Sequence, residues 1–537
     1  MVIQFSRLNK ILLPLLLLIP LFICAEVAFA AQQVQTVSEA ALDNVDKKEA
    51  AESTPLTQAK GLITLDYEVI PVPGIQSLDL IGVHYLHQLN SWLYLGIGVH
   101  APLVQGNYGG FMAFDTTIHA QRKIFGDLFV DAGLSLGGGG GGSTVKQSRQ
   151  LSGTGGFVKS YAGVGYDFNG FSAGVNYSHF RFLNSLINHS QVNLFVQKPV
   201  SYMIGSYADA GSRFESDWGS AESGENILTF ELNNIFQIKP QGTSRKTINA
   251  FSLQFSHFLT ENHYLLFAAD IGYSGIPLYN QVLGGLGYRL PVSSRINIYG
   301  QVGVGSGGYA PAEIDTGPGL LVYPKLSLEY MLNSELGVSL SGGYLFAPKG
   351  SSKNFTLGAA VNYHISGSEN HPQRSSSVEE REFRGFRFNL FQQTEFDVQV
   401  GNNRHNNINM LSIQFDYILN DYFYIPMQAN VAYNEFLGYP GYGQMLTGLG
   451  VQTDFSATNS LQGFMQILAG ADVHGMVFKP TIGVNLTLSD HLALYAQLGK
   501  TVSLHKLNLY PKSLRLSSYS AGLGLTYRFS LPNTILK

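Results

Sequence analysis

The segment Tyr519–Phe529, YSAGLGLTYRF, changes character at every residue. Ala521, Leu523, Leu525, Tyr527 and Phe529 fall on one face of an extended chain; Ser520, Gly522, Gly524, Thr526 and Arg528 fall on the other. Side chains of a strand point to opposite faces in turn, so this stretch reads as a strand with one oily face and one small or polar face. The pattern recurs. Leu253 and Phe255 alternate with Ser252, Gln254 and Ser256, and Ile413, Phe415 and Tyr417 alternate with Ser412, Gln414 and Asp416. A soluble sandwich also alternates, but its outward face is expected to be rich in Lys, Glu, Asp and Arg. Here the polar face is mostly Gly, Ser, Gln, Asn and Thr, and charged residues are 13% of the 537, against roughly a quarter in ordinary soluble domains. The net charge of −4 argues against a nucleic-acid partner.

The start of the chain is different. Arg7 and Lys10 precede an apolar run, Ile11–Cys24, and Ala28-Phe29-Ala30 is a small-x-small cleavage pattern. Residues 1–30 therefore read as a secretory signal. Its removal takes the single Cys, so the mature chain forms no disulfide. Residues 31–60 are rich in Gln, Ala, Glu and Lys and read as a disordered arm. Beyond residue 30 no run of about 18 apolar residues offers a membrane helix. For an exported, aromatic-rich chain this leaves a closed β-barrel as the way to sit in a membrane.

With its last alternating segment ending in Phe529, the chain resembles the outer-membrane β-barrel proteins of Gram-negative bacteria, over roughly Leu62–Phe529. The resemblance implies an all-β, antiparallel up-and-down transmembrane barrel. It implies that the last strand, with Tyr519, Leu523, Leu525, Tyr527 and Phe529, is the signal read by the barrel-assembly machinery. Periplasmic chaperones and outer-membrane lipid are the other partners it implies; from the residues themselves, no cofactor and no enzymatic activity are expected. Its two terminal aromatics are expected at the membrane–water boundary. Family members usually stop at that Phe, whereas here Ser530–Lys537 follow as a tail.

The chain also repeats itself. SLQF at Ser252–Phe255 returns as SIQF at Ser412–Phe415, and QVLGGLG at Gln281–Gly287 returns as QMLTGLG at Gln444–Gly450. This divides it into residues 61–204, 227–365 and 385–529, joined by polar linkers at 205–226 and 366–384, each repeat carrying about eight strands. In the second these fall near 227–236, 248–259, 264–273, 280–290, 296–305, 319–331, 336–346 and 354–364. Short turns such as Thr260-Glu261-Asn262 and Asn420-Asp421 alternate with longer loops such as Gly305–Gly317. Pro324, Pro426 and Pro480 fall inside strands, where each removes a ladder donor. Three consecutive eight-stranded barrels are favoured over one barrel of about 24 strands, because both linkers are long and polar and because charges on the inward faces are sparse and mixed.

The strand phase places Glu231, Asp270, Arg289, Lys325 and Glu329 inside the second repeat, and Arg387, Asp416, Asp454, Lys479 and Arg528 inside the third. In the first it places Asp66, Glu68, Asp115, Asp131 and Lys159. Buried charges must be paired, so these read as structural networks. The sequence shows no catalytic, cofactor or metal-ligand motif. The glycine run Gly137–Gly142 lacks the Lys of a phosphate loop, no helix is expected after it, and it reads as a crowded strand end. His179, His189 and Ser190 match small lipid-modifying barrels in residue type alone. Tyr108 and Tyr439-Pro440-Gly441-Tyr442 read as aromatic loop tips. Three functions stay open: filled modules with loops for binding or envelope structure, a wide pore or export channel made by all repeats, and a surface lipid-modifying hydrolase.

Overall fold

The computed structural model describes residues 56–210, 213–216, 225–238, 247–276, 279–308, 314–365, 379–453, 460–504, 507–509 and 512–534. The expected signal, residues 31–55 of the arm, and Asp454 lie outside them.

Three closed barrels follow one another. Barrel one is made of β1 (Thr57–Ile70), β2 (Leu78–Gln88), β3 (Leu93–Ala101), β4 (Met112–Phe125), β5 (Leu128–Gly140), β6 (Gly156–Asp167), β7 (Ser172–Phe182) and β8 (Asn188–Ile204). A short strand, β9 (Arg213–Ser216), follows. Barrel two is made of β10 (Asn226–Gln237), β11 (Thr247–Phe258), β12 (His263–Ser274), β13 (Asn280–Ser293), β14 (Ile296–Gly307), β15 (Leu320–Met331), β16 (Leu336–Phe346) and β17 (Lys353–His364). Barrel three begins with β18 (Glu379–Val400) and its short partner β19 (Asn403–His405). It continues through β20 (Ile408–Ile418), β21 (Phe423–Ala432), β22 (Gly443–Gln452), β23 (Leu461–Asp472), β24 (Gly475–Thr487) and β25 (Leu492–Ser503). A loop hairpin of β26 (Leu507–Leu509) and β27 (Lys512–Leu514) leads to the closing strand β28 (Leu516–Thr534). β8 pairs back to β1, β17 to β10 and β28 to β18, so the one-barrel alternative is excluded by the strand order.

Period-two patterning fixes this register, because a slip of one residue would turn every oily side chain into the lumen. The prolines are accommodated without a slip. On β15 the pairing to β16 lapses between Val322 and Lys325, around Pro324. The ladder from β21 to β22 lapses between Tyr424 and Met427, around Pro426, and that from β24 to β25 between Phe478 and Thr481, around Pro480. Each proline sits in a gap where a donor is not required.

Several expectations are corrected. β1 starts at Thr57, inside the expected arm. Of the second linker, residues 379–384 belong to β18, and β9 in the first linker pairs with Glu379–Glu382. The tail does not hang free after Phe529: β28 runs on to Thr534, paired to β18. A helix, Val145–Ser152, does follow the glycine run. Thr144 caps it by accepting from the Gln147 N–H, and Leu151 anchors it in the apolar cap of barrel one. At eight residues, just over two turns, it is too short for periodicity to reveal.

The barrels pack on each other. At the end carrying the short turns, Ile204 of barrel one, Leu228 and Tyr363 of barrel two, and Phe386, Tyr417 and Phe529 of barrel three form one cluster. Tyr363 donates to the Tyr417 hydroxyl at 3.2 Å, and Phe529 stacks on Phe386 with ring centroids 5.6 Å apart. Phe529 is 9% exposed, so the terminal aromatic meets protein and not a membrane boundary. At the loop end the glycine run is the contact between barrels one and three. A Cβ on Gly138 would collide with the Ala432 carbonyl, and one on Gly140 would lie 2.7 Å from that of Pro440. Arg149 Nε donates to the Gly438 carbonyl at 2.6 Å across the same boundary. The missing side chains allow two barrel walls to meet backbone to backbone.

Candidate functional site

The functional question lies in the interiors and at the loop end. One brace crosses all three lumens. In barrel one Lys159, on the sixth strand, reaches Asp66 and, at 3.0 Å, Glu68 on the first. The sixth strand of barrel two carries Lys325, 2.7 Å from Glu231 on the first. Barrel three repeats this with Lys479 and Glu395, 3.6 Å apart. An eight-stranded barrel is just wide enough for such side chains to meet across it, and buried charges persist when they do.

Around the brace each interior is filled differently. In barrel two Glu329 accepts from Asn297 at 2.8 Å, Tyr299 at 2.6 Å and Asn362 at 2.7 Å. The cavity near its Lys325 holds about 30 Å³, room for a water or two. Barrel three is laced by amides: Gln414 and Gln466 exchange hydrogen bonds of 3.0 Å, and Gln393 accepts from Gln428, Lys479 and Gln497. Its turn end is stoppered by Tyr207, from the linker after barrel one, packed with Phe391, Tyr424, Phe464 and Tyr495. The Arg528 guanidinium lies 5.5 Å from the Tyr207 ring. At the loop end barrels one and two are closed by the apolar clusters around Phe111 and Phe157 and around Ile248 and Leu283.

All the expected interior charges among the described residues are buried: Glu231, Asp270, Arg289, Lys325 and Glu329 in barrel two, and Arg387, Asp416, Lys479 and Arg528 in barrel three. Arg387 Nε donates to Asp416 at 3.0 Å, and Asp270 accepts from Gln281. Arg289 meets Glu225, a residue of the expected linker 205–226. Counting back by twos from Glu231 would have found it. His364, between Glu225 and Glu329, was missed because histidines were not counted among the inward charges. The same omission hid a larger group. His84, His100 and Asp115 lie together in barrel one, beside Asp66 and Glu68, all buried.

The assembly-signal residues divide. Tyr519 and Leu523 are exposed, whereas Leu525 and Phe529 are covered and the Tyr527 ring lies tilted against His87 of barrel one, centroids 4.6 Å apart. Tyr108 and Tyr442 are not loop tips: both are buried in the caps of barrels one and three. His179 Nδ1 and Ser190 Oγ are 2.9 Å apart on an exposed cross-strand pair, and among the described residues no carboxylate hydrogen-bonds to that imidazole. Between barrels one and two a cleft of about 790 Å³ opens at the loop end, lined by Gln76, Gln105, Asn107, Asp315 and Lys349.

No family model matches the chain, and no curated protein matches it in sequence. Among solved structures it is similar to Neisserial surface protein A, at 13% identity and a TM-score of 0.20, covering 27% of this chain and 96% of that one. It is similar to the KdgM porin at 10% identity and 0.16, over 56% and 98%. The ferric enterobactin receptor PfeA is similar at 10% and 0.27, over 89% and 82%. The structures that this chain is similar to are outer-membrane β-barrel proteins, and its own strand order is that of three closed antiparallel barrels.

Proposed function

We propose that the chain is an integral β-barrel protein of a Gram-negative outer membrane, exported by its N-terminal signal, that acts without catalysis through its exposed loops. The observation that carries this is the inversion of the three barrels: polar, filled interiors under apolar exteriors. Leu194, Leu286, Leu340 and Leu498 are each at least 60% exposed. Soluble monomers rarely expose oily patches of more than a few hundred Å². The short turns then face the periplasm and the long loops the exterior. The polar cleft between barrels one and two is the surface on which an external ligand would be held. Stoppered lumens favour binding or envelope structure over transport.

Planar-bilayer recording tests the filled-module reading: the purified chain is expected to give no stable conductance step. A large, reproducible step would overturn it. The mature chain should also resist extraction from washed envelopes by carbonate or urea. A second reading is favoured by the His179–Ser190 hydrogen bond alone, namely a surface lipid hydrolase. Alanine at His179, His189 and Ser190 should leave lipid composition unchanged if that contact is an interfacial pair.

A further inference from the structure

We propose that barrel one holds a divalent transition-metal ion of the zinc class, ligated by His84, His100 and Asp115. These residues come from the consecutive strands β2, β3 and β4, and all three turn into the lumen. His84 Nε2 is 3.5 Å and His100 Nε2 3.0 Å from the same oxygen, Asp115 Oδ2. Ligands about 2.0–2.1 Å from a tetrahedral zinc stand about 3.4 Å from one another, so the donor atoms already have the spacing of a shared ion. Two imidazoles with one carboxylate suit zinc and its neighbours better than calcium or magnesium.

The atoms have little else to do. Both ring nitrogens of His100 and Asp115 Oδ2 are buried and make no hydrogen bond, although the last two are close enough for one. Buried polar atoms are nearly always satisfied. The outer partners that metal-binding residues use are in place. Asp66 Oδ1 lies 3.5 Å from His84 Nδ1, and Thr117 Oγ1 donates to Asp115 Oδ1 at 2.5 Å.

Charge points the same way. Within the group around the histidines, Asp66, Glu68 and Asp115 bring three negative charges and Lys159 one positive, leaving two unbalanced when both imidazoles are neutral, and the buried Asp131 lies in the same lumen outside that group. One dication cancels them. Room is kept by glycine: a Cβ on Gly98 would collide with the His84 ring, and one on Gly82 with Asp66. Phe157 and Phe180 stand edge-on to His100, and the apolar cap lies beyond. An ion sealed there ties three strands together and has no path to a substrate.

The test uses the full, tag-free mature chain, unfolded in urea and refolded in detergent with zinc or with a chelator, then freed of loose metal by gel filtration. Mass spectrometry of the metal should find one zinc per chain, and the zinc-refolded protein should withstand more urea. His84→Gln and His100→Gln should each lose bound zinc about tenfold or more, while His119→Gln in the same barrel keeps it. If the variants fail to fold, cobalt refolded into the wild-type chain decides, since cobalt held in a four-coordinate, tetrahedral site of the kind zinc takes absorbs far more strongly in the visible than the hydrated ion. A wild-type chain that refolds in the presence of zinc or cobalt and retains neither would overturn the proposal. So would histidine variants that retain the metal.

Discussion

Barrels one and three share a brace, each with a glutamate that accepts from three further side chains, and differ in the charge packed around it. In barrel three the cations Arg387, Lys479 and Arg528 match the acids Glu395, Asp416 and Asp472, and Glu395 also accepts from Gln393 at 3.0 Å, Thr501 at 3.0 Å and Ser518 at 2.6 Å. Barrel one has Lys159 alone against Asp66, Glu68, Asp115 and Asp131, with His84 and His100 beside the first three. Closure thus requires one crossing ion pair, while the rest of a lumen is free to diverge. Amides make barrel three self-sufficient. Barrel one is left with charge that something else must balance.

The largest expected effect follows from that contrast. Lys159→Met strips the lumen of barrel one of its buried lysine and should cost about 3–5 kcal/mol, the range for breaking a buried pair. Lys479→Met should cost less, about 1–3 kcal/mol: Glu395 and Glu68 each keep three side-chain donors, but loss of Lys159 also strands a second acid, Asp66, with the His84 imidazole 3.5 Å away. Urea titration read by peptide-level hydrogen exchange would separate the barrels. Equal losses in both would refute the difference drawn between them.

The exteriors, by contrast, should behave alike. Leu194 of barrel one is 63% exposed and Leu498 of barrel three 60%. Arginine at either should destabilise its barrel in lipid by about 2–4 kcal/mol. An effect near zero at both, measured in vesicles, would mean that these faces do not meet hydrocarbon.

How much of this was legible without coordinates follows from range. Alternation is local, so every strand of barrel two could be placed within three residues, and the phase put Glu231 and Lys325 in one lumen before their 2.7 Å contact was known. What escaped was assembled from distant residues. Nothing local in His84, His100 and Asp115 says that three strands bring them together. Nothing in Phe529 distinguishes a lipid-facing ring from one covered by another barrel. The glycine run shows this best: its lack of side chains was plain, but the purpose of the space lies 294 residues away, since Gly138 faces Ala432 (432 − 138 = 294).

That contact can be broken by itself. Gly138→Val places a side chain against the Ala432 carbonyl and should cost about 1–3 kcal/mol, as overpacking does. The loss should fall on the boundary between barrels one and three, with each barrel still closed. Exchange at Ala432–Tyr433 should rise while the ladder from β1 to β8 stays protected. Gly284→Ala is the control, since its Cβ would meet nothing nearer than 3.9 Å.

The smallest effect concerns proline. In barrel one Pro199 lies beyond the last β7 partner of β8, which is Gln197, so it has a paired neighbour on one side only. In barrel three Pro426 sits in mid-ladder, and its carbonyl accepts a hydrogen bond of 3.0 Å from the Thr447 hydroxyl across the gap. That side chain replaces part of what the ladder lost. Thr447→Val keeps the shape and removes the donor, so it should cost about 0.5–1.5 kcal/mol. Pro199→Ala, with no gap to bridge, should change stability by less than about 0.5 kcal/mol. If Thr447→Val were neutral as well, the opening at Pro426 would be satisfied by solvent or lipid headgroups, and the gap would lie nearer the turn end of the membrane than its place in β21 suggests.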